Sequence, residues 1–341
     1  MCQLKQDLKR RADHEAIRTS CGYYDFTHQV LEVTGNDSPG FLGQFYVGDI
    51  ARMPCKKARY TTMVNDAGEI IDDVIVFRLD EYTFRISTLY IENLIAWFDA
   101  HLMPGVDVRY QDITPELCMY AVQGPRSREI LNKILDTPLD ETCKFFNILT
   151  CFAQGQEIDV VRGGFTGELG FELYIPPEKA QWLENLLEQA GGSDIRKITT
   201  DVIIQSIPAE KGFVLMSDIE NATPFEVGMG WTVNMNHDFI GKQSLMEAKS
   251  QGGKIRLLGF SVDKCQDIEV GSKIYYQGVE VGYVTKFVYG YTVESYIGYA
   301  RVKKEVSIGD EVEIVGSQGL KTKALLTQRK WYDLEDRRTK I

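Results

Sequence analysis

Short runs in which apolar and polar residues alternate recur through the first third of the chain. They occupy Val30-Leu31-Glu32-Val33, residues 74–79, and Tyr82-Thr83-Phe84-Arg85-Ile86. Side chains on a strand point alternately to its two faces, so runs of this kind, rich in β-branched and aromatic residues and bounded by Gly, Asn or Asp, predict strands. A spacing of three and four takes over at Ile91, Leu94, Ile95, Phe98 and Leu102, and again at Trp182, Leu183, Leu186 and Leu187, which predicts helices. Pro176-Pro177-Glu178 gives the second of these a start with an acid in its first turn. A further helix is predicted over 127–135, after the turn Gln123-Gly124-Pro125. Past a polar, glycine-bearing linker at 249–254 the pattern changes to strands alone, at 256–262, 273–276, 279–285, 296–301 and 311–315. Short strands at close spacing predict a small β-barrel or sandwich. The class is therefore α+β, with residues 1–248 ahead of a β-barrel domain at 254–335. The charged tail 333–341 reads as frayed.

Composition narrows the function without naming it. The 341 residues are 44% hydrophobic and 26% charged, as in ordinary globular proteins. No run approaches the length of apolar sequence that a membrane span needs, and the charged N-terminus lacks the core of a signal peptide, so a cytoplasmic protein is expected. A net charge of −11 argues against nucleic acid as a partner. The seven cysteines are scattered without a CxxC, and the four histidines lie far apart, so no metal site is expected. Strands and helices alternate without a GxGxxG or a Walker loop, which removes the main sequence support for a nucleotide-binding α/β fold.

Three segments carry candidate chemistry. In the first, Tyr60 precedes Asn65-Asp66-Ala67-Gly68-Glu69-Ile70-Ile71-Asp72-Asp73-Val74, a turn leading into an apolar strand that opens with two carboxylates. Strand alternation sends Asp72 and Asp73 to opposite faces, so only one of them can enter a given pocket. In the second, four glycines lie within Gly163-Gly164-Phe165-Thr166-Gly167-Glu168-Leu169-Gly170, just ahead of Glu172. A carboxylate beside such a turn can grip an amidine-like edge, of the kind a pterin ring offers, through two parallel hydrogen bonds. The third runs from Ala209-Glu210-Lys211-Gly212-Phe213 to Met229-Gly230-Trp231 and Asp238-Phe239-Ile240-Gly241-Lys242. Taken singly, each segment also reads as plain structure: acids at a strand start, a hairpin with a surface Glu, a Trp in a core.

Taken in order, they resemble the aminomethyltransferase family, the T-protein of the glycine cleavage system and its relatives. The likeness runs from Asp13 to about Val302. It takes in His14-Glu15-Ala16-Ile17-Arg18-Thr19, Tyr24-Asp25-Phe26-Thr27-His28, Ala121-Val122-Gln123-Gly124-Pro125 and, in the barrel, Gly282-Tyr283-Val284-Thr285. The resemblance implies an aminomethyltransferase-like folate-binding fold of three subdomains with a C-terminal β-barrel, around a channel for tetrahydrofolate. By position it puts the reacting carboxylate on Asp72 and the pterin-gripping carboxylate on Glu172. Tyr60, Phe165 and Trp231 fall at positions near the folate.

Several segments depart from the family pattern. The arm ahead of His14 is nearly absent, Ser87-Thr88-Leu89-Tyr90 replaces an Asn-Ala type motif, and Ser206-Ile207-Pro208-Ala209 stands where an Arg is expected. The barrel's Ser-Gly and Ser-Pro turns become Lys286-Phe287-Val288-Tyr289-Gly290-Tyr291. These changes fall where the second substrate should meet the protein, and Tyr90, Tyr289 and Tyr291 could line an aromatic pocket there. The expected activity is a tetrahydrofolate-dependent one-carbon transferase, acting as a demethylase on a small N-, O- or S-methyl compound. The alternatives are a glycine cleavage aminomethyltransferase working with a lipoyl carrier protein, and a non-catalytic folate-binding regulatory protein.

Overall fold

The computed structural model describes residues 2–264 and 267–340, so Cys265 lies outside the described residues. It opens with an 18-residue helix, Cys2–Thr19, which the apolar pattern did not predict. The reason is in its buried face, where Asp13, His14 and Arg18 accompany Ile17. These positions share one side of a helix, but three of the four are polar, so no apolar stripe marks it.

Two sheets follow. The first has six strands in the order Ile195–Lys197, Cys21–Asp25, Cys118–Gln123, Gly170–Ile175, Gln156–Arg162 and Ile148–Ala153. The second has five, Lys57–Val64, Ile70–Arg78, Thr83–Thr88, Gln29–Thr34 and Arg109–Asp112, all antiparallel. One face of the second sheet closes over its own core, with Val74, Val76, Phe84 and Ile86 packed on Phe41, Phe45 and the helix residues Leu94 and Phe98. The other face turns toward the six-stranded sheet, where Ile75 and Phe77 meet Val161 and Tyr174. Phe77 and Tyr174 meet edge to face at 5.6 Å. The strand Ile70–Arg78 is thus apolar on both sides.

The helix Lys242–Gln251 ends at Gly252 and Gly253, whose φ of 78° and 69° need glycine. Six strands then close a barrel in the order Ile255–Val262, Ser295–Lys303, Val279–Gly290, Lys273–Tyr276, Glu311–Val315 and Lys321–Thr327. The last of these was not predicted, although its alternation is regular, because its outward positions include Lys321 and Lys323. The helix predicted over 127–135 is shorter, Ser127–Leu131. The tail, expected to fray, is docked instead. Asp333 and Asp336 pair with the buried Lys211 at 2.9 and 2.8 Å, and Arg338 donates to the Arg18 carbonyl at 2.6 Å. Among the described residues no helix is long and apolar enough to cross a membrane.

Candidate active site

The adjacent carboxylates of the strand Ile70–Arg78 do face opposite ways, and their surroundings differ. Asp72 points to the core side with Val74 and Val76 and is 3% exposed. Thr88 Oγ1 donates to its Oδ2 at 2.7 Å, while its Oδ1 is buried without a partner. Burial pushes its carboxyl up to about 7, and the charge of Asp73 adds to the shift. Asp73 points the other way, is partly exposed, and accepts a hydrogen bond from Tyr60 Oη at 2.7 Å. Burial raises its pKa as well. The Tyr60 ring stacks on Trp231 at 6.0 Å, and Trp231 is 72% exposed. The chain therefore brings Tyr60 and Trp231 together with Asp73, not with Asp72, which the resemblance had put at the reacting atom. The pairing register accounts for this. Thr62 lies opposite Asp73 and Tyr60 opposite Ile75, so residues 60, 62, 73 and 75 share one face.

Glu172 stands on the six-stranded sheet with Tyr174 on the same strand face, next to the contact of Tyr174 with Phe77. It is 5% exposed, and burial pushes its carboxyl up to about 7, against the opposing pull of a hydrogen bond from Tyr174 Oη to Oε2 at 3.1 Å. Its Oε1 makes no hydrogen bond among the described residues. A Cβ built on Gly163 would come within 3.9 Å of that oxygen and 3.4 Å of the Phe146 ring, so the glycine leaves the carboxylate open on that side.

The glycine-rich hairpin is held by a residue that sequence reasoning had treated only as part of a turn. Gln123 Nε2 donates to the Gly163 carbonyl at 2.9 Å, and its Oε1 accepts from Thr166 Oγ1 at 2.7 Å. A Cβ on Gly164 or Gly170 would sit 2.1 Å from that Oε1. The glycines let the hairpin wrap the Gln123 amide, and the requirement is steric at both positions. Phe165, at the tip, stacks on Phe213 at 5.5 Å.

Behind the hairpin lies a buried ionic cluster. Arg18 Nη1 donates to Glu168 Oε1, and Arg18 Nη2 donates to Glu210 Oε2, both at 3.1 Å. The same guanidinium bonds the carbonyls of Thr166 and Ile207 and lies 4.2 Å over the ring of Tyr332. His14 Nε2 is 3.2 Å from Glu210 and 2.7 Å from Thr292 Oγ1. Burial raises Glu210, but the bond and charge of His14 and the charge of Arg18 outweigh it and hold the carboxyl below its usual range.

Of the three tyrosines expected to share a pocket, Tyr289 and Tyr291 meet at 5.3 Å, and among the described residues no ring contact joins Tyr90 to either. Tyr291 touches His14 and donates to Asp7, and Tyr289 packs on Tyr291 and Tyr296. Tyr90 follows the strand Thr83–Thr88, is 41% exposed, and lies within reach of the charges of Asp72 and Asp73.

With this geometry in place, the likeness to known proteins is specific. The GCVT N-terminal domain family matches residues 6–237, and the glycine cleavage T-protein C-terminal barrel domain matches 256–333. The chain belongs to the glycine cleavage T-protein family. It is 30% identical to the aminomethyltransferase of Thermotoga maritima over 326 residues, covering 93% of this chain and 88% of that protein. It is 33% identical to the aminomethyltransferase of Halothermothrix orenii over 311 residues, covering 89% and 86%. The crystal structure of glycine cleavage system aminomethyltransferase T from Bartonella henselae shares the fold, with a TM-score of 0.82 at 24% identity over 94% of this chain and 88% of that one. The family is one of transferase enzymes that bind tetrahydrofolate, and this chain is a transferase of that family.

Proposed function

We propose that the chain is a tetrahydrofolate-dependent aminomethyltransferase, with Asp73 at the reacting nitrogen and Glu172 at the pterin edge. The observation that carries this reading is the pair of half-satisfied carboxylates on facing walls. Asp73 and Glu172 each hold a single tyrosine hydroxyl bond, and each stands on the face where the two sheets meet. Buried polar groups are normally fully bonded, so a carboxylate oxygen left open in a cleft suits a ligand that donates to it. Tetrahydrofolate, when bound, supplies the nitrogens that accept the carbon. Asp73 can receive a proton from such a nitrogen or steady the positive charge that develops there. Tyr60 orients Asp73 by its hydrogen bond and, with Trp231, forms an aromatic wall on which a flat ligand can lie. Phe165 and Phe213 offer a second such surface at the hairpin tip.

The choice of donor follows the relatives, which are aminomethyltransferases along nearly the whole chain. A lipoyl carrier protein bearing an aminomethyl group is the matching partner. The demethylase expectation rests on the departures from the family pattern, and of the three tyrosines new there only Tyr289 and Tyr291 pack together among the described residues. The test offers the protein tetrahydrofolate with an aminomethylated lipoyl carrier, and in parallel with methylated amines, ethers and sulfides. Methylenetetrahydrofolate formed from the carrier alone is the expected result. Product from the methylated panel alone would return the protein to the demethylase reading.

A further inference from the structure

On the barrel side near Tyr60 lie two cations, Lys286 and Arg329, with a single carboxylate, Asp218, between them, and only Lys286 pairs with it among the described residues. A bulge shifts the register of the strand Val279–Gly290 between Val284 and Lys286. Thr285 and Lys286 are consequently both buried, where regular alternation would have sent one of them outward. Both reach Asp218. Thr285 Oγ1 donates to Oδ1 at 2.8 Å, and Lys286 Nζ lies 3.0 Å from Oδ2, which also accepts the Leu215 amide at 2.9 Å. Asp218 has little capacity left for a second cation.

Arg329 is that second cation. Among the described residues it forms no ion pair. Its Nη1 donates to the carbonyls of Val227 and Leu257 at 2.8 and 3.2 Å, while among the described residues its buried Nε has no partner and its Nη2 makes no hydrogen bond. The Nε–Nη2 side of a guanidinium is an edge by which arginine takes a carboxylate with two parallel hydrogen bonds, and this is the edge left without a partner among the described residues. Lys286 and Arg329 both lie on the ring of Tyr299, 5.0 and 5.6 Å from its centroid. Burial draws the pKa of each cation below its usual value, so an anion beside them would be welcome.

The unpartnered edge lies near the aromatic wall of Tyr60 and Trp231. A Cβ built on Gly228, three residues before Trp231, would lie 3.5 Å from Arg329 Nη2. The Arg329 charge reaches the Tyr60 hydroxyl. The Arg329 carbonyl abuts Gly212, next to Phe213 and its partner Phe165. In a chain of net charge −11, this is a local island of positive potential.

We propose that Arg329, backed by Lys286, is a subsite for a carboxylate of a ligand held beside Tyr60 and Asp73. The proposal rests on the reading of the cleft as a tetrahydrofolate site. The carboxylate has two possible sources, the glutamyl tail of tetrahydrofolate or a carboxylated one-carbon donor such as an N-methylated amino acid.

Calorimetric titration of the full chain and of Arg329→Gln separates these sources. One arm compares tetrahydrofolate with a tetrahydropterin lacking the aminobenzoylglutamate arm. The other compares N,N-dimethylglycine with trimethylamine. Arg329→Gln should weaken one carboxylate ligand about ten- to a hundredfold and change its carboxylate-free counterpart less than about twofold. Arg329→Lys, which keeps the charge but not the fork, should fall between. Equal weakening within each pair, no change in either carboxylate ligand, or failure of both carboxylates to bind the unmodified protein would overturn the proposal. A protein that binds neither reduced pterin fails the tetrahydrofolate reading itself. Tight pterin binding indifferent to Arg329, with dimethylglycine likewise indifferent, fails only the subsite.

Discussion

Two buried polar assemblies in this protein invite comparison, the ionic cluster behind the hairpin and the carboxylates of the cleft. In the cluster nearly every charge meets an opposite one. Arg18 lies between Glu168 and Glu210, Arg338 Nε is 3.1 Å from Glu168, and Lys211 pairs with two acids of the tail. These contacts tie the first helix, the glycine hairpin, the helix Ser206–Lys211 and the tail into one body. In the cleft, Asp73 and Glu172 each have one tyrosine bond and an oxygen left over. Dense pairing marks groups that hold the fold. Sparse pairing of carboxylates shielded from water marks a surface that a ligand completes.

If that distinction holds, mutations in the two regions should fail differently. The largest effect is expected in the cluster. Arg18→Met takes from the buried Glu168 and Glu210 the cation they share, leaving only Arg338 and His14 beside them, and should cost about 3–5 kcal/mol of stability by denaturant unfolding. A loss below about 1 kcal/mol would remove the contrast. In the cleft, Glu172→Gln removes a carboxyl that burial holds at about 7, so at neutral pH it should not lower the unfolding midpoint, and it should weaken tetrahydrofolate binding by about 1.5–3 kcal/mol, measured by calorimetry. Because the Glu172 carboxyl stands at about 7 and a donating pterin edge prefers its ionised form, affinity should rise as pH is raised from 6 to 8. The variant should lose that rise.

The smallest effect is expected at Asp72. Its folded pKa of about 7 lies above the unfolded value, so its contribution to stability is fully present below about pH 4 and is lost as pH rises through 7. Asp72→Asn should keep the Thr88 contact and flatten this part of the stability curve between pH 5 and 8, by about 1–2 kcal/mol. A curve as steep as that of the parent would show that the carboxyl is not buried as described.

Much of this was legible in the sequence, for identifiable reasons. The strand Ile70–Arg78 and the opposed directions of Asp72 and Asp73 follow from a period of two. Which acid enters the cleft does not follow, because Val74 and Val76 on one face and Ile75 and Phe77 on the other are all apolar. No polar face told the cleft from the core. The order of the motifs identified the family, and the glycines near Glu172 pointed to a tight hairpin. Gln123, the clasp of that hairpin, lies some forty residues away in sequence and shows itself only through the missing Cβ atoms of Gly164 and Gly170. The charged helix Cys2–Thr19 shows no apolar stripe, and the charged tail reads as frayed. Their charges are satisfied by partners such as Glu210 and Lys211, far along the chain, which no local pattern reveals. Arg329 was passed over for a related reason: it follows the last strand, and only the closed barrel carries it back to Tyr60.

The most direct measurement is the turnover of Asp73→Asn and Asp72→Asn, side by side, in aminomethyl transfer from the lipoyl carrier to tetrahydrofolate. Both substitutions keep the side-chain shape and remove the charge. Turnover should fall by about 10² or more in Asp73→Asn and stay within about threefold of the parent in Asp72→Asn. A folded Asp72→Asn that loses the activity, beside an Asp73→Asn that keeps it, would contradict the assignment and place the chemistry on the other face of the strand.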